Sequence, residues 1–361
     1  MHALGICEGY VGNGWNVTII GGDCLSDYAL DMPSLVNVVQ VKEPVGVFKY
    51  PVWWYRIFKA CKGELGQGKF NSVMIRYVVS SFFLIRLISI TSPKSLKKIL
   101  EVNSFLYHMI ASYPLWLNHF VAFFEIKLAN SFDVLYVVSK AMAKDSRNVR
   151  CTADVVCVEN GATKKAIAFK REVSHEDKSP RLIYLGTLMP YWDFEYFVQA
   201  INNLHKYINL EVVIFGDGPM LPYLKAKLAN SANITFLGRF SRNDLGDILF
   251  PSSDILLLPP KTEADMVLTG GLSTKLFDYL SMGIPILAPS DGEINSILAD
   301  KVNSVLYRRD DIDSLRCSAI ELLESRGLRD QVAQAAYSDF IEKYSWDARM
   351  KVIIERSGCE D

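Results

Sequence analysis

The sequence predicts an α/β protein built of two doubly wound domains. Its 361 residues exceed what one hydrophobic core usually serves, so two domains with a core each are expected. Short apolar runs alternate with longer amphipathic segments, which is typical of βαβ units and parallel sheets. Uninterrupted apolar runs such as residues 255–258 indicate strands that are buried on both faces, as parallel sheets require.

The alternation is clearest in the second half of the chain, where it predicts a six-stranded domain. Its strands are expected at 181–186, 210–216, 234–238, 254–259, 284–288 and 304–307. Its helices are expected at 193–205, 220–228, 243–249, 274–282 and 312–324. A second sheet in the first half is predicted from strands at 16–20, 36–41, 87–90, 98–102, 134–138 and 154–159.

A polar segment separates the two halves. Residues 170–180 are mostly polar or charged, show no apolar period and end in a proline, so a linker is expected at 169–180. The predicted division is an N-terminal domain over 1–168, a C-terminal domain over 181–335 and closing helices over 336–361.

Charge and cysteine usage exclude several classes of protein. The formal net charge of -1 argues against a nucleic-acid binder, although the stretch from Lys42 to Lys98 holds 11 basic and two acidic residues, 11 - 2 = +9. The seven cysteines occur singly, without histidines at metal-ligand spacing, and indicate reduced thiols and no metal site. The chain does not open with a signal-peptide pattern, so a cytoplasmic location is expected.

Two segments raise the question of a membrane. No charged side chain lies between Glu101 and Glu125, but polar residues and Pro114 interrupt this stretch, so a packed or surface-lying helix is expected rather than a span. Residues 50–59 mix Trp, Tyr, Arg and Lys as interfacial helices do, and anionic lipid would attract the +9 segment around them. A core helix with a solvated basic face explains the same residues equally well.

A series of short motifs resembles those of GT-B glycosyltransferases of family 4 and their relatives in bacterial polysaccharide assembly. In chain order they are Val137-Val138-Ser139-Lys140, Val158-Glu159-Asn160-Gly161, Tyr184-Leu185-Gly186-Thr187-Leu188, Phe215-Gly216-Asp217-Gly218-Pro219, Phe236-Leu237-Gly238, the segment from Ser273 to Pro285, and Tyr344-Ser345-Trp346. The resemblance implies two Rossmann-like domains facing a cleft, with a nucleotide-sugar bound by the C-terminal domain. It also implies a last helix that crosses back to the N-terminal domain.

The segment from Ser273 to Pro285 is the sharpest motif. Ser273 or Thr274 can cap a helix whose N-terminal N–H groups suit a diphosphate. Asp278, close to that helix start, can accept ribose hydroxyls, although a favourable interaction with the helix dipole would also explain it.

The resemblance also implies an acid eight residues before Asp278. Gly270 stands at that position, so Glu263 or Asp265 on the preceding loop is expected to take the role, and Glu263 is the preferred catalytic candidate.

Glycine turns complete the predicted donor site. Gly186 and Thr187 follow a strand, where a glycine lets the backbone approach a ligand. Gly216 and Gly218 lack the third glycine of a dinucleotide fingerprint, so they indicate a turn near the base or sugar and not an NAD site.

Phosphate charge needs a cation from elsewhere in this chain. Relatives often carry Arg and Lys where Thr187 and Trp192 stand. Lys275 is the preferred replacement, and a solvated surface lysine is the alternative interpretation.

The N-terminal half contributes weaker candidates. The strand end Leu100-Glu101-Val102-Asn103 resembles one that reaches the cleft in relatives, and it makes Asn103 a catalytic candidate. His108 and His119 have no recognisable partner for base catalysis. Residues 2–18 match the first helix and second strand of the family, so the first strand and its glycine-rich loop are expected to be absent, through a misassigned start or a truncation.

The resulting hypothesis is a retaining hexosyltransferase. It would move a sugar from a nucleotide diphosphate-sugar co-substrate to a lipid-linked saccharide in lipopolysaccharide or capsule synthesis, in the cytoplasm or on the inner face of the plasma membrane. No metal or other cofactor is expected. The alternatives are a degenerate GT-B subunit that binds a nucleotide-sugar without catalysis, and a sugar-nucleotide 2-epimerase.

Overall fold

A computed structural model describes residues 2–22, 25, 33–45, 49–109, 114–148, 151–164, 180–231, 233–240, 244–249, 253–263, 265–266 and 272–358. Of the predicted linker only Pro180 is described, and Gly270 lies outside the described residues. The chain divides into two compact units. Unit 1 comprises Met1–Asn160 and Trp346–Asp361, and unit 2 comprises Gly161–Ser345.

Unit 1 is built on parallel strands. Its elements before unit 2 are α1 (His2–Gly12), β1 (Val17–Gly21), β2 (Val36–Gln40), α2 (Lys49–Leu65), β3 (Ser72–Arg76), a 3-10 turn (Val79–Ser81), α3 (Phe82–Thr91), β4 (Lys97–Val102), α4 (Leu106–Met109), α5 (Leu115–Ala129), β5 (Val134–Val137), α6 (Lys140–Asn148) and β6 (Asp154–Cys157). Strands β3 to β6 form a parallel sheet in chain order, and β1 pairs with β2 in a second, two-stranded parallel sheet. Among the described residues the first element is the helix α1.

The predicted strand at 87–90 is wrong. Those residues lie in α3, and the strand missing from the prediction is β3. A short apolar run fits a buried helix as well as a strand. Here Leu84, Ile85 and Ile88 are all buried. Residues at these spacings lie on one side of a helix, whereas in a strand they would point to both faces.

Unit 2 contains the six strands that the sequence predicts, each within about two residues of the expected bounds. Its elements are β7 (Arg181–Leu185), α7 (Phe194–Leu204), β8 (Glu211–Phe215), α8 (Leu221–Lys227), β9 (Ile234–Gly238), α9 (Leu245–Ile248), β10 (Asp254–Leu257), α10 (Thr274–Leu280), β11 (Ile286–Ser290), a 3-10 turn (Gly292–Ser296), β12 (Val305–Arg308), α11 (Ile312–Glu324), α12 (Arg326–Asp339) and a π-helical turn (Phe340–Tyr344). All five strand pairings are parallel, in the order β12-β11-β10-β7-β8-β9.

The last helix, α13 (Trp346–Ser357), belongs to unit 1. Its Trp346 and Met350 pack with Ile99, Val134 and Tyr136, which line one face of the β3–β6 sheet. On the opposite face Leu100, Val102, Leu135 and Val137 pack with side chains of α3 and α5. The four-stranded sheet is therefore covered on both faces, as expected for parallel strands.

Helix α1 lies against α13 through glycines, and this contact gives a stability prediction. A Cβ atom on Gly9 would lie 2.4 Å from the carbonyl oxygen of Trp346 and 2.5 Å from Cγ of Met350. We expect Gly9→Ala to lower the free energy of unfolding by about 1–3 kcal/mol, because backbone must move to admit the methyl group.

The matched control is Gly63 in α2, around which a Cβ would meet nothing within 4 Å. Gly63→Ala should raise stability by about 0.5–1 kcal/mol through helix propensity. Urea unfolding followed by circular dichroism measures both variants, and an equal response of the two would contradict the close α1–α13 contact.

Candidate functional site

The strand order of unit 2 reverses between β7 and β10, and the two chain segments that leave these strands meet there. The N–H of Asp193 donates to the carbonyl of Pro260 (2.9 Å), and the N–H of Thr262 donates to that of Tyr191 (2.9 Å). Trp192 and Lys261 form an antiparallel bridge between them. Open α/β sheets bind ligands outside the carboxyl ends of strands at such a reversal.

Tyr279 of α10 closes the gap between the diverging strands. Its hydroxyl oxygen accepts from the N–H of Leu185 (3.0 Å), and its O–H lies 3.2 Å from the carbonyl oxygen of Leu185 and 3.4 Å from that of Leu257. Burial raises the pKa of Tyr279, so the hydroxyl stays a donor. The side chain thereby fixes α10 against the end of β7.

The glycines of the predicted donor site allow backbones to approach closely. Gly186 and Gly216 have φ values of +141° and +150°. A Cβ atom on Gly216 would lie 1.9 Å from the carbonyl oxygen of Gly186, and one on Gly218 would lie 2.5 Å from that of Leu188. Thr187 beside them is exposed, and its carbonyl accepts from the Tyr184 hydroxyl (2.9 Å). The glycines therefore let the turns after β7 and β8 pack directly against each other at this end of the sheet.

Lys275 lies at the same end of the sheet and is buried, so the interpretation as a solvated surface lysine is wrong. Its Nζ donates to the carbonyl of Leu185 (2.7 Å) and stands 4.1 Å from the ring centre of Tyr184. A Cβ on Gly186 would meet this Nζ at 1.9 Å, so the ammonium group sits where a side chain would otherwise be. Burial lowers the pKa of Lys275 from 10.5 to about 7, and the Asp278 carboxylate opposes this shift.

A second lysine, which the sequence did not single out, approaches from the other segment. Lys261 is 5% exposed, contacts the carboxylate of Asp265, and donates to the carbonyl of Leu272 (3.0 Å). Burial lowers the pKa of Lys261, while its hydrogen bond to Asp265 raises it. Its position after two prolines at the end of β10 was the available sequence signal.

Trp192 lies close to both lysines. Its ring centre is 5.3 Å from Nζ of Lys275 and 5.7 Å from Nζ of Lys261. The indole is 3% exposed, and within the described part of the chain its Nε1–H has no hydrogen-bond partner. A buried donor is normally satisfied, and an anion is an acceptor that would suit this indole N–H in a region that also holds two ammonium groups.

Helix α10 carries the remaining candidates. Ser273 occupies the N-cap position, but its hydroxyl makes no capping bond, and its Oγ is buried without a partner among the described residues. Thr274 is exposed, and Asp278 is the half-buried fifth residue of a seven-residue helix. Gly283, with φ of +63°, ends the helix as the sequence predicts.

The catalytic candidates lie in different units. In unit 2, Glu263 is exposed just after Lys261, whereas Asp265 is engaged by Lys261. In unit 1, Asn103 follows β4, and its Oδ1 has no hydrogen-bond partner within the described ranges. His119 is exposed on α5, and the side chain of His108 lies outside the described part.

Known proteins resemble the chain in sequence and in fold. Residues 179–325 match the family model described as Glycosyl transferases group 1. A protein of Methanocaldococcus jannaschii named uncharacterized glycosyltransferase MJ1607 is 26% identical over 191 residues, 52% of this chain and 47% of the relative. The chain spans about half the length of the curated relatives it matches.

Solved structures extend the likeness beyond residues 179–325. Anabaena Alr3699/HepE, solved in complex with UDP-glucose, superposes with a TM-score of 0.71 at 11% identity, over 100% of this chain and 97% of that one. Sucrose-phosphate synthase from Thermosynechococcus elongatus gives 0.69 at 12% identity, over 98% and 92%. The chain thus has the fold of GT-B glycosyltransferases, and the β7–β10 reversal lies within the matched residues 179–325.

Proposed function

We propose that the protein is a glycosyltransferase that takes its sugar from a nucleotide diphosphate-sugar. The observation that carries the proposal is the unpartnered indole N–H of the buried Trp192, whose ring contacts the ammonium groups of Lys261 and Lys275 at the strand-order reversal. An anionic diphosphate suits such a group of donors, and the two lysines would supply the positive charge that relatives carry as Arg and Lys at positions 187 and 192. The likeness to a protein solved with UDP-glucose supports this donor class.

We assign roles to the remaining site residues from their positions. The close-packed turns at Gly186, Gly216 and Gly218 would lie beside the diphosphate or base, together with the exposed Thr187. Asp278 would accept ribose hydroxyls and Thr274 would donate nearby. These roles are part of the proposal.

Catalysis in this scheme is chiefly electrostatic. As the bond between the sugar and the diphosphate breaks, negative charge grows on the leaving oxygen, and a preorganised ammonium group stabilises it most in a dry site. Lys275 already satisfies this condition, since it is buried and fixed by Leu185 and Tyr184. Glu263 and Asn103 are proposed to contact the sugar and the acceptor, with retention of the anomeric configuration.

The finer features of the function belong to the same proposal. We expect a lipid-linked saccharide as acceptor, a role in cell-surface polysaccharide synthesis, and a location in the cytoplasm or on the inner face of the plasma membrane. Charge neutralisation of the diphosphate by Lys261 and Lys275 would make a metal ion unnecessary.

Two measurements test the proposal. Calorimetry with a panel of UDP-, GDP-, ADP- and CMP-linked sugars should show saturable binding of at least one, and the same ligand should raise the melting temperature. Incubation of that donor with a lipid extract should then release the nucleotide and label the lipid fraction. Absence of binding with every donor would refute the proposal.

Two other outcomes identify the alternative functions. Binding without transfer would favour a non-catalytic subunit. The presence of Thr187 and Trp192 in place of basic residues supports this alternative. Conversion of the free nucleotide-sugar without acceptor, seen by NMR, would identify an epimerase.

A further inference from the structure

The outward sides of two neighbouring helices in unit 1 are apolar. The exposed side chains are Phe83, Leu87 and Ile90 on α3, and Leu115, Trp116, Phe120, Phe123 and Phe124 on α5. Phe83 is 77% exposed and Trp116 is 70% exposed. Single exposed apolar residues are ordinary, but a group of large ones on adjacent helices marks an interaction site. We call these eight side chains the α3–α5 face.

The two helices lie side by side on one face of the β3–β6 sheet. Ile85 of α3 and Ile126 of α5 belong to the same buried cluster beneath them. The hydroxyl of Ser89 in α3 donates to the carbonyl of Ser131 (2.8 Å), directly after α5. Both inner sides are thus occupied by the core of unit 1, and the apolar outer sides point away from the sheet.

Helix α2 packs along the other side of α3. Its Ile57 shares a buried cluster with Leu84 and Ile88. Four basic side chains of α2 are exposed, namely Lys49, Arg56, Lys59 and Lys62. The helix that packs next to α3 is therefore rich in exposed basic residues.

The α3–α5 face itself carries no exposed acid. Arg86 is the charged residue of α3, and Lys127 is exposed on α5. The acid of α5, Glu125, is buried, where it accepts from the N–H groups of Leu106 (2.7 Å) and Tyr107 (3.0 Å). Cations thus accompany the apolar side chains, and α3 lies within the +9 segment from Lys42 to Lys98.

We infer that the α3–α5 face docks on the surface of a bilayer that contains anionic lipid. Aromatic side chains on one side of a helix with basic residues beside them fit the boundary between acyl chains and headgroups. A second copy of the chain fits less well, because a twofold interface would bring two +9 segments together. Among the described helices none is long and apolar enough to cross a bilayer, so the face would lie on the membrane.

The inference deepens the proposed function. It rests on that function in one respect, because a lipid-linked acceptor would be found at such a membrane surface. Vesicle binding is measured without donor or acceptor. Donor binding is measured without vesicles, so either proposal can fail while the other stands.

Vesicle sedimentation tests the inference directly. The full chain is mixed with vesicles of phosphatidylcholine containing about one third phosphatidylglycerol, and with vesicles of phosphatidylcholine alone. We expect the anionic vesicles to bind several-fold more protein, and binding to weaken as NaCl is raised above about 0.15 M.

Variants separate the apolar and the charged contributions. The triple variant Trp116→Ser, Phe120→Ser, Phe123→Ser should lower the vesicle partition coefficient at least about tenfold. Lys59→Gln with Lys62→Gln should lower it about fivefold per residue on anionic vesicles only. All five side chains are exposed or solvent-facing, so circular dichroism and the melting temperature should match wild type.

The matched control removes exposed apolar side chains from unit 2. Tyr207 is 61% exposed and Val302 is 56% exposed, and Tyr207→Ser with Val302→Ser should leave vesicle binding unchanged. Equal losses in the control and the triple variant would overturn the inference, as would wild-type protein that stays in solution. A dimer that the triple variant converts to a monomer, without vesicle binding by wild type, would show that a second copy occupies the face.

Discussion

Replacing Lys275 by methionine is expected to weaken nucleotide-sugar binding roughly 10- to 150-fold, which corresponds to the loss of one charge-assisted hydrogen bond. Lys275 is the better placed of the two lysines for this role, because its Nζ stands directly over Gly186 at the end of β7. Calorimetry with the donor found in the binding panel measures the change.

The same variant should be at least as stable as wild type. Methionine fills a similar volume without the cost of burying an ammonium group. The carbonyl of Leu185, which Lys275 engages, keeps a second donor in the hydroxyl of Tyr279 (3.2 Å). A structural lysine would give the opposite result, namely lower stability with unchanged donor affinity.

The pH dependence provides a further signature of the variant. Lys275 has a pKa of about 7 in the folded protein and 10.5 as its ordinary value, so the unfolded chain binds more protons between these two values. The stability of wild type relative to Lys275→Met should therefore rise as the pH increases from about 7 to 10.5. Below pH 7 both states hold the proton, and the full cost of the buried charge is present.

Donor affinity should follow the opposite trend. An anionic ligand favours the protonated amine, so wild-type affinity should fall as the pH rises from about 7 toward the higher pKa of the complex. A nucleotide-sugar is the right probe, because its phosphodiester groups do not titrate in this range. Lys227→Met, at an exposed position of α8, is the control and should retain both the affinity and its pH dependence.

Gly216→Ala is expected to have the largest effect on stability, a loss of about 2–5 kcal/mol. Alanine rarely adopts φ of +150°, and its Cβ would lie 1.9 Å from the carbonyl oxygen of Gly186. Because the obstacle is backbone, the segments that follow β7 and β8 must separate. Donor binding should be lost even at temperatures where the variant remains folded.

The control for Gly216→Ala is Gly327→Ala in α12, where a Cβ would meet nothing within 4 Å. This substitution should be neutral or stabilising by up to about 1 kcal/mol. Thermal unfolding and calorimetry of the two variants test the prediction, which is refuted if Gly216→Ala retains wild-type stability and donor affinity.

The sequence predicts unit 2 well because its central strands are buried on both faces and several of them are followed by glycines or prolines. Short apolar runs such as those in β7 and β10 are predicted as strands and not as helices. Gly186 and Gly216 mark where two of the strands end. In unit 1 the apolar run of α3 fits either element, and only packing against Ile57 of α2 and the core of the sheet shows it to be a helix.

The candidate site could be predicted only in part. Gly186, Lys275 and Asp278 lie within recognisable local motifs, so sequence is sufficient to select them. Lys261 and Trp192 are 261 - 192 = 69 positions apart, and only a bridge between the segments after β7 and β10 brings them together. The burial of Lys275 likewise depends on Tyr184 and Trp192, which no local pattern connects to it.

The membership of α13 in unit 1 has a consequence for synthesis on the ribosome. The face of the β3–β6 sheet that Trp346 and Met350 cover cannot receive them until unit 2 has been translated in full. At common translation rates this delay is roughly 10–40 s. During that interval Ile99, Val134 and Tyr136 lack this cover, and nascent-chain chaperones that bind exposed apolar surface have a defined segment to protect.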